Sequence, residues 1–334
     1  REEPDFRSRL LQLLTVHAKD EGLTSAQIWP RFQVIFTRLA RFITHRPAFE
    51  ASCRRTMLDL VADGVSYMEL RVPLSIGCEL TELDGRRRPC APDMIDVFEA
   101  VLREVQQVAP DFEARLISTT VRLRSPRDIA QDLEYAVRAK AQRPHMVVGW
   151  DTDAEEDPHH TTLDYAAQLL KLPQLEARYG VQLPLLLHDG ESDWPNNLNV
   201  VDAVLLGAKR IGHGFNLFNF PLLKLELIKR GVAVEVCPIS NQVLRYIDDL
   251  RLHPGAQLLR EGVPMVLSPD DPGIWGAVGL THDFWAATVA WQLGVRSLKY
   301  LAWSSLAHSG LSSSERIQAT QNLERQWHRF LRDR

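Results

Sequence analysis

Apolar positions near the start of the chain recur every three or four residues. Phe6, Leu10, Leu11 and Leu14 share one helical face, the stretch from Ile28-Trp29 to Ile43 repeats that spacing, and Phe49 to Val61 continues it. Beyond this helical lead-in the pattern changes to short, β-branched runs separated by amphipathic stretches. Seven runs fit strands: Val65–Val72, Ala114–Val121, Met146–Trp150, Leu183–His188, Arg210–His213, Val232–Cys237 and Val263–Leu267. Between them, Pro92–Val108, Pro126–Ala141 and Thr161–Tyr179 read as helices, and Asn199–Leu206, Pro221–Arg230 and Pro254–Glu261 as shorter ones. Strand, helix, strand in alternation implies parallel pairing with right-handed crossovers, the wiring of an α/β barrel. A serine cluster at Ser312 precedes a stripe of Leu323, Trp327, Phe330 and Leu331, which predicts a terminal helix docked on that barrel.

The 334 residues allow one large barrel or two domains, but no Gly/Ser linker or low-complexity stretch divides them. The reading is a single domain over 1–334, with a helical lead-in at 1–62, a barrel at 63–311 and a C-terminal helix at 312–334. With 45% hydrophobic and 25% charged residues the chain can bury a sizeable core. Lys+Arg number 39 against 43 Asp+Glu, and the only dense basic run is Arg86-Arg87-Arg88, so nucleic acid is excluded as a partner. No run of apolar residues is long enough for a membrane span. The four cysteines show no metal-binding spacing; Cys53 and Cys237 read as buried thiols, and Cys78 and Cys90 bracket the arginine-rich loop without requiring a bond. A start at Arg1 with no apolar leader reads as a processed or trimmed product.

Polar clusters stand at the C-terminal ends of several of these strands: Asp151, His188-Asp189-Gly190-Glu191, His213 and Asp270-Asp271. Singly they say little, since a strand histidine is more often a hydrogen-bonded core residue and Asp270-Asp271-Pro272 is an ordinary turn or helix start. Together they deliver two imidazoles and carboxylates to the one barrel edge where βα loops converge. Imidazole nitrogen and carboxylate oxygen suit Zn²⁺, which lowers the pKa of bound water toward neutrality. Glu191 in a shielded pocket has the character of a proton donor, His213 that of a group orienting hydroxide, and Asp271 that of a partner for a ring nitrogen.

The motifs His188-Asp189-Gly190-Glu191, Arg210-Ile211-Gly212-His213-Gly214, Glu235 through Leu244, His253-Pro254 and Ser268-Pro269-Asp270-Asp271-Pro272 resemble those of adenosine deaminases. More narrowly, the chain is similar to the adenosine deaminase growth factor family, the secreted deaminases of animals, with Trp29, Tyr67 through Arg71 and Val147 through Asp151 adding to the likeness. The resemblance implies a (β/α)₈ TIM barrel of the metal-dependent hydrolase type. It further implies zinc-dependent conversion of adenosine or 2′-deoxyadenosine and water to inosine or deoxyinosine and ammonia, a step of purine metabolism. Carried over by residue, His188 and Asp270 are zinc ligands, Glu191 protonates purine N1 and His213 steadies the attacking hydroxide. Asp271 meets N7, and Trp29, Gly190 and Ala154 line the substrate.

The family's His-x-His pair on the first barrel strand has no counterpart among the eleven histidines, none of which is two residues from another. The barrel is accordingly expected to lack its first strand, through cropping of a longer protein or through divergence. His159-His160 are a poor replacement pair, because adjacent side chains seldom converge on one ion. Asp189 replaces a small residue and is expected to set another carboxylate against the metal, Ala154 stands where the family has glycine, and Pro269 where it has serine. The acidic run Asp151 to Asp157 reads as a solvated loop that repels anionic substrates. An extracellular protein is implied, although no Asn-x-Ser/Thr sequon occurs, and a homodimer belongs to a full-length form. The competing expectation is a catalytically inactive relative that binds a nucleoside or a receptor.

Overall fold

The computed structural model describes residues 5–16, 22–74 and 79–332. Three helices lead in, Phe6–Leu14, Ser25–Ile43 and Arg46–Ala62. The strands are β1 (Tyr67–Val72), β2 (Glu79–Thr81), β3 (Arg87–Pro89), β4 (Glu113–Val121), β5 (Val147–Asp153), β6 (Leu186–Asp189), β7 (Arg210–His213), β8 (Ala233–Val236) and β9 (Met265–Leu267). β2 and β3 form a separate antiparallel hairpin, so Arg87 and Arg88 lie on a strand and not in a loop. The other strands match the seven expected runs. They pair in parallel in the order β1-β4-β5 and β6-β7-β8-β9, and a bridge between Trp150 and Leu185 joins the two groups.

In a flat sheet β1 and β8 would lie about 24 Å apart at the usual strand spacing. Instead the Arg71 guanidinium on β1 reaches Glu235 on β8 at 2.9 Å, and Arg210 on β7 pairs with Glu69 on β1. The sheet is therefore curled, with these side chains inside it. Ile117, Val148 and Leu186 form a small apolar layer in the same interior. The opposite strand faces, including Ala114 and Leu116, join the large core beneath the outer helices.

Helix boundaries follow local chemistry. Ser125 accepts the Asp128 amide and Pro126 opens the helix Pro126–Gln142; Thr161 and Asp164 form a reciprocal cap on Thr162–Leu169. The single helix expected over Thr161–Tyr179 is two, because Pro173 near the start of Leu172–Tyr179 has no N–H with which to continue the first. Two helices without a matching expectation, Thr281–Trp291 and Val295–Ala307, follow the last strand. In the first, Ala286, Ala287 and Trp291 are buried while Trp285 is exposed, so no single stripe announces it. The terminal helix Ser313–Arg332 docks chiefly by ion pairs, Arg115 to Glu315 at 2.5 Å and Lys299 to Glu324 at 2.7 Å. Of its expected stripe, Leu323 and Trp327 are half-buried and Phe330 and Leu331 exposed.

Candidate metal and catalytic site

At the C-terminal ends of the strands, His188, His213 and Asp270 bring donor atoms within 4.8 Å of one another. His188 and Asp270 thus share one compartment, as the metal reading requires. Three residues on this rim hold backbone φ in the left-handed region that favours glycine: Ala154 at 85°, His213 at 58° and Asp270 at 56°. Such strain persists only where surrounding packing enforces it, and it gathers at functional sites. Gly212 packs closely against His188, since a Cβ there would lie 3.0 Å from the imidazole Cγ and press on a ring that Asp151 holds.

His188 stands next to the last position of β6, with its ring fixed from behind. Asp151 accepts its backbone amide at 2.7 Å and its Nδ1 at 2.5 Å, leaving Nε2 for the mouth. Burial alone would depress this histidine, but the Asp151 carboxylate raises it to about 10. Asp151 itself is held below its ordinary range: burial opposes this, and His188 and Arg71 overcome it. Arg71 links Asp151 to Glu235, and Arg210 links Glu235 to Glu69, so a line of alternating charges runs down the barrel from the mouth. The resemblance carried Asp151 and Glu235 only as motif letters; the signal for their role was their position on strands whose inner faces would otherwise be apolar.

Glu191 is buried, with Oε1 3.5 Å from His213 Nδ1, and burial followed by the charge of Asp270 pushes its carboxyl well above the ordinary range. Its backbone is anchored by Glu156, which accepts the amides of Gly190 and Glu191 at 3.1 and 2.7 Å. Asn197 and Asn199 also donate to Glu156. Gly190, at φ 79°, has no room for a side chain, because a Cβ would meet Asn216 Oδ1 at 2.5 Å. Burial lowers His213 to about 4, so it is neutral near pH 7. Asp271 is pushed up by burial and by Asp270. Trp29 does not reach the histidines: its indole N–H donates to the Tyr246 hydroxyl at 2.7 Å, which in turn donates to the Glu191 carbonyl at 2.9 Å. Around it Ile28, Phe32 and Ile35 pack on Phe215, Leu244 and Ile274, so the lead-in helix walls the mouth.

Two expectations fail here. Asp189 does not face the metal donors; as the residue after His188 on a strand it points to the opposite face, where it accepts from Arg122 at 3.2 Å and Thr162 at 2.5 Å. Nor is Asp151 to Asp157 a solvated loop, since Asp151, Thr152 and Glu156 are buried and hydrogen-bonded into the site. The misreading came from counting charges without the cations and amides that satisfy them. Among the described residues the donor group contains neither His159 nor His160; His160 instead lies 3.6 Å from Asp164. Cys53 and Cys237 are buried free thiols, and the Cys78 and Cys90 pairing lies outside the described residues.

The donors suit zinc in kind, with one imidazole nitrogen left free by an Asp151 bond on the other and a carboxylate beside it, but His188 and Asp270 by themselves are fewer protein ligands than a catalytic zinc takes. Fold and donors together place the molecule among the β/α barrels of amidohydrolase type. A protein-family model described as adenosine deaminase matches residues 12–325, and the chain belongs to that family. It is 34% identical to adenosine deaminase 2 of Sus scrofa over 339 residues, covering 98% of this chain and 64% of the pig protein. The chain thus spans less than two thirds of the length of these curated relatives. Among solved structures it is similar in fold to Arabidopsis ADAL complexed with GMP, with TM-score 0.73, 18% identity, and 95% and 92% of the two chains covered. An amidohydrolase from Burkholderia ambifaria with bound Zn aligns with TM-score 0.72 and 16% identity over 90% of this chain and 79% of that one. No described helix is long and apolar enough to cross a membrane.

Proposed function

We propose that the chain carries the catalytic barrel of a zinc-dependent deaminase acting on adenosine or 2′-deoxyadenosine. Water and the nucleoside give inosine or deoxyinosine and ammonia. The observation that carries this reading is Glu191, a buried carboxyl whose Oε1 lies 3.5 Å from His213 beside the His188, His213 and Asp270 donors, with burial and Asp270 pushing its pKa up. His188 and Asp270 would hold the ion. A divalent ion there supplies Lewis acidity and lowers the pKa of water. Glu191 gives its proton to purine N1, which makes C6 electrophilic. His213 orients the attacking water, and Asp271, whose carboxyl is pushed up by burial and by Asp270, hydrogen-bonds N7. Gly190 and Ala154 line the ring, while Trp29 serves through Tyr246 by fixing the Glu191 backbone. We further propose an extracellular protein, a homodimer in its full-length form, and 1–334 as one domain.

The test is direct. The chain extended N-terminally to its full-length form, with zinc content measured, is given adenosine, and inosine and ammonia are followed. Glu191→Gln should retain the metal and lose at least about 100-fold in kcat, because it removes the proton donor and not a ligand. Near-normal turnover in that variant removes Glu191 from its role. A full-length protein that still lacks the His-x-His pair, with nucleoside binding that ignores chelators and no turnover, would establish the inactive relative instead.

A further inference from the structure

Asn241, His253 and Gly255 have no part in the reaction above, yet they form a buried relay ending on His213. The relay can be read outward from its one unambiguous donor. The backbone N–H of Gly255 lies 2.9 Å from His253 Nδ1, so that nitrogen accepts and the ring proton is on Nε2. His253 Nε2 stands 3.0 Å from Asn241 Oδ1, which sets the amide with its oxygen toward His253 and its NH₂ toward His213. The Asn241 Nδ2 to His213 Nδ1 distance is 3.1 Å. An amide NH₂ only donates, so His213 Nδ1 is the acceptor and its proton is on Nε2.

The surroundings leave little freedom. His213, Asn241 and His253 are all buried, where an unmade hydrogen bond costs the full desolvation of its groups. The His253 ring is packed against Trp291 and Phe215, at 5.5 and 5.4 Å between centroids. Position 255 must be glycine for its amide to come this close, because a Cβ would lie 2.8 Å from Trp291 and 3.0 Å from His253 Nδ1. Glu191 Oε1 lies 3.5 Å from the same His213 nitrogen.

We propose that Asn241 and His253 are positioning residues that lock His213 in its Nε2–H tautomer. His213 therefore enters the mouth as a hydrogen-bond donor, 3.8 Å from Asp270 Oδ2, and is neither a base nor a ligand of the ion despite its place in the donor cluster. The use of that donor rests on the deaminase reading; the tautomer does not.

The experiment is long-range ¹H–¹⁵N correlation on the whole chain labelled with ¹⁵N-histidine, with His213 assigned from the signals lost in His213→Gln. Wild type should show Nε2 pyrrole-like and Nδ1 pyridine-like. Asn241→Asp, whose carboxylate can only accept, should invert the pattern. His253→Phe, which frees the amide to turn, should mix the two forms, and His253→Gln, which restores a donor, should return the wild-type pattern. A wild-type proton on Nδ1 overturns the proposal. So does an unchanged His213 pattern in both Asn241→Asp and His253→Phe; if the first does not fold, the His253 pair decides alone. In turnover, Asn241→Asp should lower kcat by about 10²- to 10⁴-fold with KM changed less than about threefold, as a wrong tautomer does elsewhere, and His253→Phe should lower it only in proportion to the wild-type tautomer it loses. Absence of turnover in the zinc-loaded full-length protein beside the wild-type tautomer pattern would reject the deaminase reading and leave the relay standing.

Discussion

Asp151 holds His188 twice, taking its backbone amide at 2.7 Å and its ring Nδ1 at 2.5 Å. The carboxylate is itself held by Arg71. A ligand histidine supported this way has its ring plane and tautomer set before any ion arrives, and the negative charge behind it raises the basicity of the free nitrogen.

Asp151→Asn keeps the shape and removes that charge. Zinc affinity should fall about 10- to 100-fold, measured by competition with a chromophoric chelator. An unchanged dissociation constant would mean that the Asp151 bond serves folding alone.

Arg122 and Asp189 are both without exposed side-chain surface and meet at 3.2 Å behind β6. Arg122→Met leaves a buried carboxylate without its cation and should cost about 3–5 kcal/mol in urea unfolding. Asp189→Asn should retain zinc at the wild-type stoichiometry, because the side chain faces away from the mouth. Zinc loss in that variant, with the fold intact by circular dichroism, would restore Asp189 to the metal site.

Ala154 carries its side chain at φ 85°. Relief of that strain exceeds the extra unfolded-state freedom of glycine, so Ala154→Gly should stabilise the protein by about 0.5–1 kcal/mol. Urea midpoints compared at constant m-value test this, and a destabilised variant would show that the position is not strained.

Burial pushes Asp283 up to about 7 from an ordinary 3.8, while it caps the Ile239 amide at 3.1 Å; its second oxygen has no hydrogen-bond partner. The folded state binds this proton more tightly than the unfolded state. Its contribution is therefore complete below the unfolded pKa and is lost as pH rises through about 7. Between about pH 4 and pH 8 the wild type should lose a few kcal/mol that Asp283→Asn does not lose, read as the difference between their unfolding free energies. Parallel pH curves for the two proteins would contradict the assignment.

Much of this architecture was legible along the chain because its causes are local. Short apolar, β-branched runs marked all seven barrel strands, since a strand buried on both faces needs such residues wherever it sits. The mouth was legible too, as polar clusters where apolar runs end. The hairpin at β2 and β3 was not, because three-residue strands carry no period, and Thr281–Trp291 was not, because its apolar residues fall on more than one side.

What the sequence determined by itself is the kind of chemistry available: which residues can bind an ion, which can give a proton, and the order in which strands present them. What the tertiary structure decided is the state and direction of each group. Asp189 turns from the metal because strand neighbours face opposite ways and Arg122 waits on its side; Asp151 to Glu156 sink into the site because cations and amides there satisfy them. His213 acquires its tautomer from the Gly255 amide, 42 positions along the chain, through two side chains. Charge, burial and proton position depend on what lies within a few ångströms, and for these residues the neighbours come from distant strands and loops that only the curled sheet brings together.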